Sequence, residues 1–314
     1  MYYPYFRGKQ YELIAIRESA AKLKQSGFIP IIEPVKESLG GLSKALKEIT
    51  KNEGEAIVIV NPFHGDHSSN AENISELLKE EFEDSEHIHV GLLLTEDLSI
   101  NEVISLYKKF TGHRTAFVHA GFSEAKFLAE ALGEDLAQTT HIFHEDHCGK
   151  LYRRHFKASP NRVLIRDGFV KRKNREHPAT EFFSDLHITY SEEGMQGFSD
   201  FLIVGDEYSE SGGPAYAIAI HVTYIDNDKD GEMHIHHFLS DRQDDPKDPA
   251  GKFAEALDKL AHEVNSRNSK ITMTTAIEEF LALHDRQHFP GLGYVKKLSM
   301  QHHIETLADF FKEE

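Results

Sequence analysis

The stretch His141-Ile-Phe-His144-Glu-Asp146-His147 decides the fold. A short apolar run, Thr140 to Phe143, passes abruptly into ionisable side chains. Upstream, Ala116-Phe-Val-His119-Ala-Gly121 does the same, and downstream so does Val163-Leu-Ile-Arg166-Asp167-Gly168. Apolar strands that end in His, Asp, Glu or Arg are the pattern of a parallel β/α sheet whose strand C-termini line a site.

Outward from that stretch the unit repeats. Tyr2-Tyr-Pro-Tyr-Phe6 is aromatic and extended, and Arg7-Gly8-Lys9 breaks it. Leu13, Ile16, Ala20 and Leu23 then recur at helical spacing up to Gly27, which reads as a helix stop. Strands follow at Phe28 to Pro34, Ala56 to Pro62, Val90 to Thr95, Thr115 to His119, Thr139 to His144 and Arg162 to Arg166. Helical stretches separate them at Leu39 to Ile49, Glu72 to Phe82, after Ser99, at Ser123 to Leu132 and around Leu151 to Phe156. Ser99 with Glu102 has capping-box spacing. Seven such units run from Tyr2 to Asp167, and Phe198 to Val204 supplies an eighth strand. Alternating strands and helices predict an α/β chain of the (β/α)8 TIM-barrel type. The alternative, an open doubly wound sheet, would show a glycine-rich phosphate turn after its first strand. No G-x-G-x-x-G or Walker A pattern occurs.

The later sequence departs from the repeat. Lys171-Arg-Lys-Asn-Arg175 is a dense basic run in the loop before the eighth strand. Beyond Gly212-Gly-Pro214, alternating residues at Tyr216 to Tyr224 and Met233 to Phe238 predict an appended antiparallel β-hairpin. Asp226-x-Asp-x-Asp230-Gly231 matches half of an EF-hand loop, but the twelfth position is His237 and strands flank it, so a polar hairpin turn fits better. His234, His236 and His237 are a weak transition-metal signal, because strand alternation divides them between two faces. A helix spans Pro249 to Val264, and two short helices are expected around Pro290 and Gly293. No linker separates a further domain. Residues 1–314 therefore read as one domain, with βα units over 1–206, the hairpin over 207–245 and C-terminal helices over 246–314.

The formal charge of −17 over 314 residues argues against holding bulk nucleic acid by phosphate neutralisation. It suits a soluble enzyme or a protein with a basic partner. One cysteine, Cys148, excludes an internal disulfide framework and fits a reducing cytoplasm. Its acidic neighbours give a thiolate little support. No segment approaches the roughly 20 apolar residues of a membrane helix, and the N-terminus lacks a signal-peptide pattern.

In a barrel the polar strand ends converge on one mouth. Glu33, His119, His144, Asp146 and Asp167 are the candidate catalytic residues, as general acids and bases. Arg7, Lys9, Asn61, Arg166 and Asp200 are the candidates for holding a substrate, with the cations suited to a phosphate or carboxylate. The strand register stays open. Either Leu164 and Arg166 face the axis, or Val163, Ile165 and Asp167 do. The imidazoles and carboxylates would also suit a divalent metal, although no H-x-H marks the first strand.

Tyr3-Pro-Tyr-Phe-Arg7-Gly-Lys9-Gln-Tyr-Glu12-Leu, Ile31-Ile-Glu33-Pro34 and Gly197-Phe-Ser-Asp200-Phe are similar to motifs of the "beta protein" family of bacteria and phages. Most of the chain shares the resemblance. It implies a (β/α)8-like fold, a place in mobile elements or phage defence, and a partner encoded nearby, without an established reaction. It singles out Arg7, Lys9, Glu12, Glu33 and Asp200, though Asp200 stands near the start of its strand. Two functions follow as expectations. One is a cytoplasmic barrel enzyme of a phage-defence or toxin-type system, acting on a phosphate- or nucleotide-like substrate by acid/base or metal-assisted hydrolysis. The other is a non-catalytic acidic barrel that binds and regulates a partner protein.

Overall fold

The computed structural model describes residues 1–210, 213 and 215–313. In chain order the strands are β1 (Tyr5–Phe6), β2 (Ile31–Ile32), β3 (Ala56–Ile59), β4 (Ile88–Thr95), β5 (Thr115–Ala120), β6 (Thr140–His144), β7 (Asn161–Ile165), β8 (Thr180–Ser184), β9 (Gly197–Ser199), β10 (Ala219–Asp226) and β11 (Glu232–Leu239). The helices are α1 (Gln10–Ser26), α2 (Gly40–Lys51), α3 (Glu72–Phe82), α4 (Ile100–Lys109), α5 (Ala125–Leu132), α6 (Lys150–Arg153), α7 (Leu186–Thr189), α8 (Pro249–Val264), α9 (Thr275–Asp285) and α10 (Leu292–Glu313). They form two compact units. One comprises Met1–Arg166 with Thr189–Asp200, the other Asp167–Ile188 with Phe201–Glu314.

The first unit is a nearly closed parallel barrel of eight strands, in the order β1-β2-β3-β4-β5-β6-β7-β9. A parallel bridge between Tyr2 and Phe198 links its ends. Around that bridge the Tyr3 amide donates to the Phe198 carbonyl at 2.9 Å and the Tyr5 amide to Asp200 at 3.0 Å. Helices appear where periodicity places them. Gly27, at φ 67°, caps α1, and Ser99 with Glu102 caps α4. Several strands are shorter than expected, β2 and β3 among them. Pro4 has no N–H to pair, so the regular part of β1 is Tyr5–Phe6. The eighth barrel strand ends at Ser199 instead of Val204, because the chain turns beyond Asp200, with the Val204 amide donating to Phe201 at 3.1 Å.

The register of the barrel is now fixed. Phe117, His119, His141 and Phe143 stack among themselves and against Phe156, and His119 and Phe143 also meet Tyr152 of α6. Their face of the sheet is therefore the helix-facing one. Alternation puts Val118, Ile142 and His144 on the axis face, and the pairing of His144 with Ile165 and of Ile165 with Ser199 carries that face onward. Val163 and Ile165 point inward, and Leu164 points toward the helices. Gly91 also lies on the axis face, where a Cβ would stand 2.6 Å from Ile59 Cδ1.

The second unit is built on a three-stranded antiparallel sheet, β10-β11-β8. The expected hairpin is present, but Thr180–Ser184, read from sequence as part of a loop, adds a third strand against β11. The acidic turn holds Lys270, which contacts Asp226 and lies 3.0 Å from Asp228, so it is a hairpin turn and not a calcium loop. Ile220, Val222 and Phe238 face a core shared with Phe253, Leu257 and Phe280 of α8 and α9. The last helix, α10, is longer than expected, at 22 residues. The Gly212 and Pro214 break lies outside the described residues.

Candidate active site

Glu33 directly follows β2 on the axis face, by alternation from Ile31, and is fully buried. Its carboxylate accepts from Tyr5 Oη at 3.0 Å and Arg7 Nη1 at 2.5 Å. The amides of Phe63 and His64 donate to its other oxygen at 3.0 and 3.1 Å, and His64 Nδ1 lies 3.2 Å away. The Arg7 guanidinium lies over the Tyr5 ring, 5.0 Å from its centre. Burial alone would raise the Glu33 carboxyl. The His64 hydrogen bond, the Arg7 charge and the His64 amide outweigh it and hold the group down to about 2. Glu33 is therefore ionised at neutral pH and orients its neighbours rather than donating a proton.

The loops after β2 and β3 are fastened together above it. Asp66 donates its amide to the Val35 carbonyl at 3.1 Å and accepts the Glu37 amide at 2.8 Å, and His67 Nε2 sits 3.0 Å from the Lys36 carbonyl. Gly65, at φ 78°, allows this closeness, since a Cβ there would lie 2.1 Å from the Val35 oxygen. Gly65→Ala is expected to cost at least about 1–3 kcal/mol, as backbone strain of this kind does, measured as a lowered urea midpoint. An unchanged midpoint would mean the loops are not fastened in this way. This clamp places His64, whose side chain keeps 26% of its exposure, against the buried carboxylate. A carboxylate on Nδ1 fixes the ring and makes Nε2 the nitrogen for proton exchange.

The other residues expected at the mouth have varied positions. His144 is buried on the axis face, with its ring 4.6 Å from His147. Asp146 is exposed in the turn after β6. Asn61 braces the sheet, donating to the Leu93 carbonyl at 2.8 Å and accepting its amide at 2.9 Å. It therefore acts as a main-chain mimic and does not turn its amide to a ligand. Lys9 is the N-cap of α1, and its amide meets the Glu12 carboxylate at 3.4 Å.

Three of the expected site residues do not face the axis. His119 is fully buried in the aromatic layer beneath the helices, bonded to Tyr152 Oη at 2.7 Å and to His141 Nδ1 at 3.0 Å. Burial and the neighbouring His141 push it well below its usual value, so it stays neutral and packs. Arg166 grips Glu145 with Nε at 2.5 Å and Nη2 at 3.1 Å. Asp200 accepts Tyr2 Oη at 2.6 Å and shares the strand face of Phe198. Asp167 belongs to the second unit, where it accepts the amides of Phe169 at 2.9 Å and Asp206 at 2.7 Å. Among the described residues, Glu33, His119, His144, Asp146 and Asp167 do not gather as metal ligands. Cys148 is buried and its thiol is pushed up to about 12, which suits no nucleophile. The basic run is neutralised locally, by Lys171 on Glu207 at 3.1 Å and Arg172 on Glu181 at 2.9 Å.

Two members of the Glu33 centre were not among the candidates from sequence. Tyr5 reads as a β-former, and His64 as one residue of a polar loop. The signal available was the cluster of His64, Asp66 and His67 after a buried strand.

No protein-family model and no curated protein matches the chain. Among solved structures, it is similar to the enoyl reductase domain of MlnA from the macrolactin biosynthesis cluster of Bacillus amyloliquefaciens. Identity is 10%, the TM-score is 0.36, and the match covers 99% of this chain and 81% of that one. A likeness of that extent carries no argument about fold or function. No helix among the described residues is long and apolar enough to cross a membrane.

Proposed function

We propose that the barrel is a (β/α)8 enzyme scaffold of the cytoplasm, acting on a phosphate- or nucleotide-like substrate at the strand C-termini, within a phage-defence or toxin-type system. The supporting observation is the Glu33 centre: an ionised carboxylate, fully buried, holding a half-buried His64 by Nδ1. In this reading His64 is the general acid/base, and Glu33 and Tyr5 position it and Arg7. His144, on the same axis face, is the second imidazole available to a substrate. The phage-defence setting rests on the sequence resemblance.

The test is turnover of a panel of nucleotides and phosphate esters by the full chain. His64→Gln keeps the backbone amide that bonds Glu33 and is expected to lower turnover about a hundredfold with the melting temperature unchanged. Full activity in that variant would overturn the role of His64.

The net charge of −17 favours a second reading, an acidic barrel that binds and regulates a basic partner encoded nearby. Absence of any turnover, together with a complex that dissociates as salt is raised, would select it over the enzyme.

A further inference from the structure

His234, His236 and His237 are neighbours along one strand, β11. The tertiary structure makes a different set. His221 on β10 and His237 on β11 are register partners across the hairpin. His177 precedes β8, and the His237 amide donates to the Ala179 carbonyl at 2.8 Å, which brings His177 alongside. One ring nitrogen from each of His177, His221 and His237 lies within 4.8 Å of the other two.

Several features of this cluster fit a metal. His221 Nδ1 and His237 Nδ1 face each other at 2.7 Å. Only one proton fits between two such nitrogens, and the two lone pairs converge on one point. Ligands bound at about 2.0–2.1 Å in a tetrahedron stand roughly 3.3 Å apart, so a small separation admits an ion. On the far side, Glu181 Oε1 lies 2.9 Å from His237 Nε2 and 3.6 Å from His177 Nδ1. The carboxylate takes the outer N–H of His237 and so aims its inner nitrogen, Nδ1, toward His221. His237 Nδ1 and His221 Nδ1 thus face each other, with a ring nitrogen of His177 within 4.8 Å of the ligand nitrogens of both. Phe169 closes over the cluster, its ring 5.1 Å from His221 and 5.6 Å from His177. Arg172, paired with the other oxygen of Glu181, tempers the carboxylate charge.

We propose that His177, His221 and His237 bind a transition-metal dication of the zinc class. Three neutral imidazoles without thiolates suit zinc, cobalt, nickel or copper rather than calcium or magnesium. Three protein ligands leave a fourth position for water or a substrate oxygen, as in hydrolytic zinc sites. The site lies in the second unit and stands independently of the role given to His64.

The test strips the full-length protein with a strong chelator, then titrates it with zinc against a chromophoric competitor and with cobalt by visible absorption. One equivalent of zinc, with the intense d–d bands of tetrahedral cobalt, is expected. His221→Ala and His237→Ala should each weaken zinc binding at least a hundredfold, and Glu181→Gln about tenfold to a hundredfold. His234→Ala should leave it unchanged. Should His237→Ala fail to fold, His221→Gln with an unchanged circular dichroism spectrum serves instead. Absence of stoichiometric binding by the stripped wild-type protein overturns the site. So does unchanged affinity in the His221 variants.

Discussion

Glu33→Ala is expected to destabilise the barrel by about 3–5 kcal/mol, the usual cost of breaking one side of a buried ion pair. The carboxylate accepts from Tyr5, Arg7, His64 and two main-chain amides, with no solvent exposure. Without it the Tyr5 hydroxyl and the amides of Phe63 and His64 lose their buried acceptor, and the Arg7 guanidinium, itself only 7% exposed, loses the Glu33 charge. For a unit of this size each kcal/mol lowers the melting temperature by roughly 2–4 °C, so a drop on the order of 10 °C should be seen. The double variant Arg7→Met with Glu33→Leu should be less damaging than Glu33→Leu alone, because the buried pair is then replaced as a whole and not broken on one side. A melting temperature within a degree or two of wild type for Glu33→Ala would remove the centre on which the barrel mouth is built.

Stability is expected to fall steeply as pH drops below about 6.5, the value of an unperturbed imidazole. His141 is held down to about 3, His302 to about 4, and His119 well below the usual value, each mainly by burial. Between the unfolded value near 6.5 and these folded values, the unfolded chain binds protons that the folded chain refuses. Stability therefore rises with pH across that window and is fully present above it. At pH 5 each excluded proton costs about 2 kcal/mol. Glu33 adds a lower window. Its folded value is depressed, so its contribution is present above the unfolded carboxyl value near 4.5 and is lost toward about 2. Urea melts at pH 7.5 and pH 5 measure the first window. His302→Gln, which can still bond Thr274 and the Thr223 carbonyl in place of the imidazole, should flatten part of the slope. Equal midpoints at the two pH values would show that these imidazoles are not excluded from water.

The legibility of the two polar centres differs for one physical reason. Glu33 and His119 stand at the ends of similar apolar strands, and both look like mouth residues in sequence. Pairing decides between them. A one-residue change of parity sends a side chain to the opposite face, and parity follows from hydrogen bonds to neighbouring strands, not from the strand itself. His119 therefore joins Phe143, Phe156 and Tyr152 under the helices, whereas Glu33 points to the axis with Tyr5. Likewise β8 was invisible because Thr180–Ser184 is short and half exposed, and becomes a strand only against β11.

The sequence by itself determined the succession of strands and helices, the caps at Gly27 and Ser99, the polar strand ends, the hairpin and its acidic turn. All of these depend on residues close together in the chain, where periodicity and local hydrogen bonds act. Only the tertiary structure decided that Arg7 and His64 meet on Glu33, that Arg166 is held by Glu145, and that His177 joins His221 and His237. Those meetings span residues far apart in sequence. They exist because closing the barrel and adding a third strand to the hairpin bring distant side chains to one place, which no local pattern encodes.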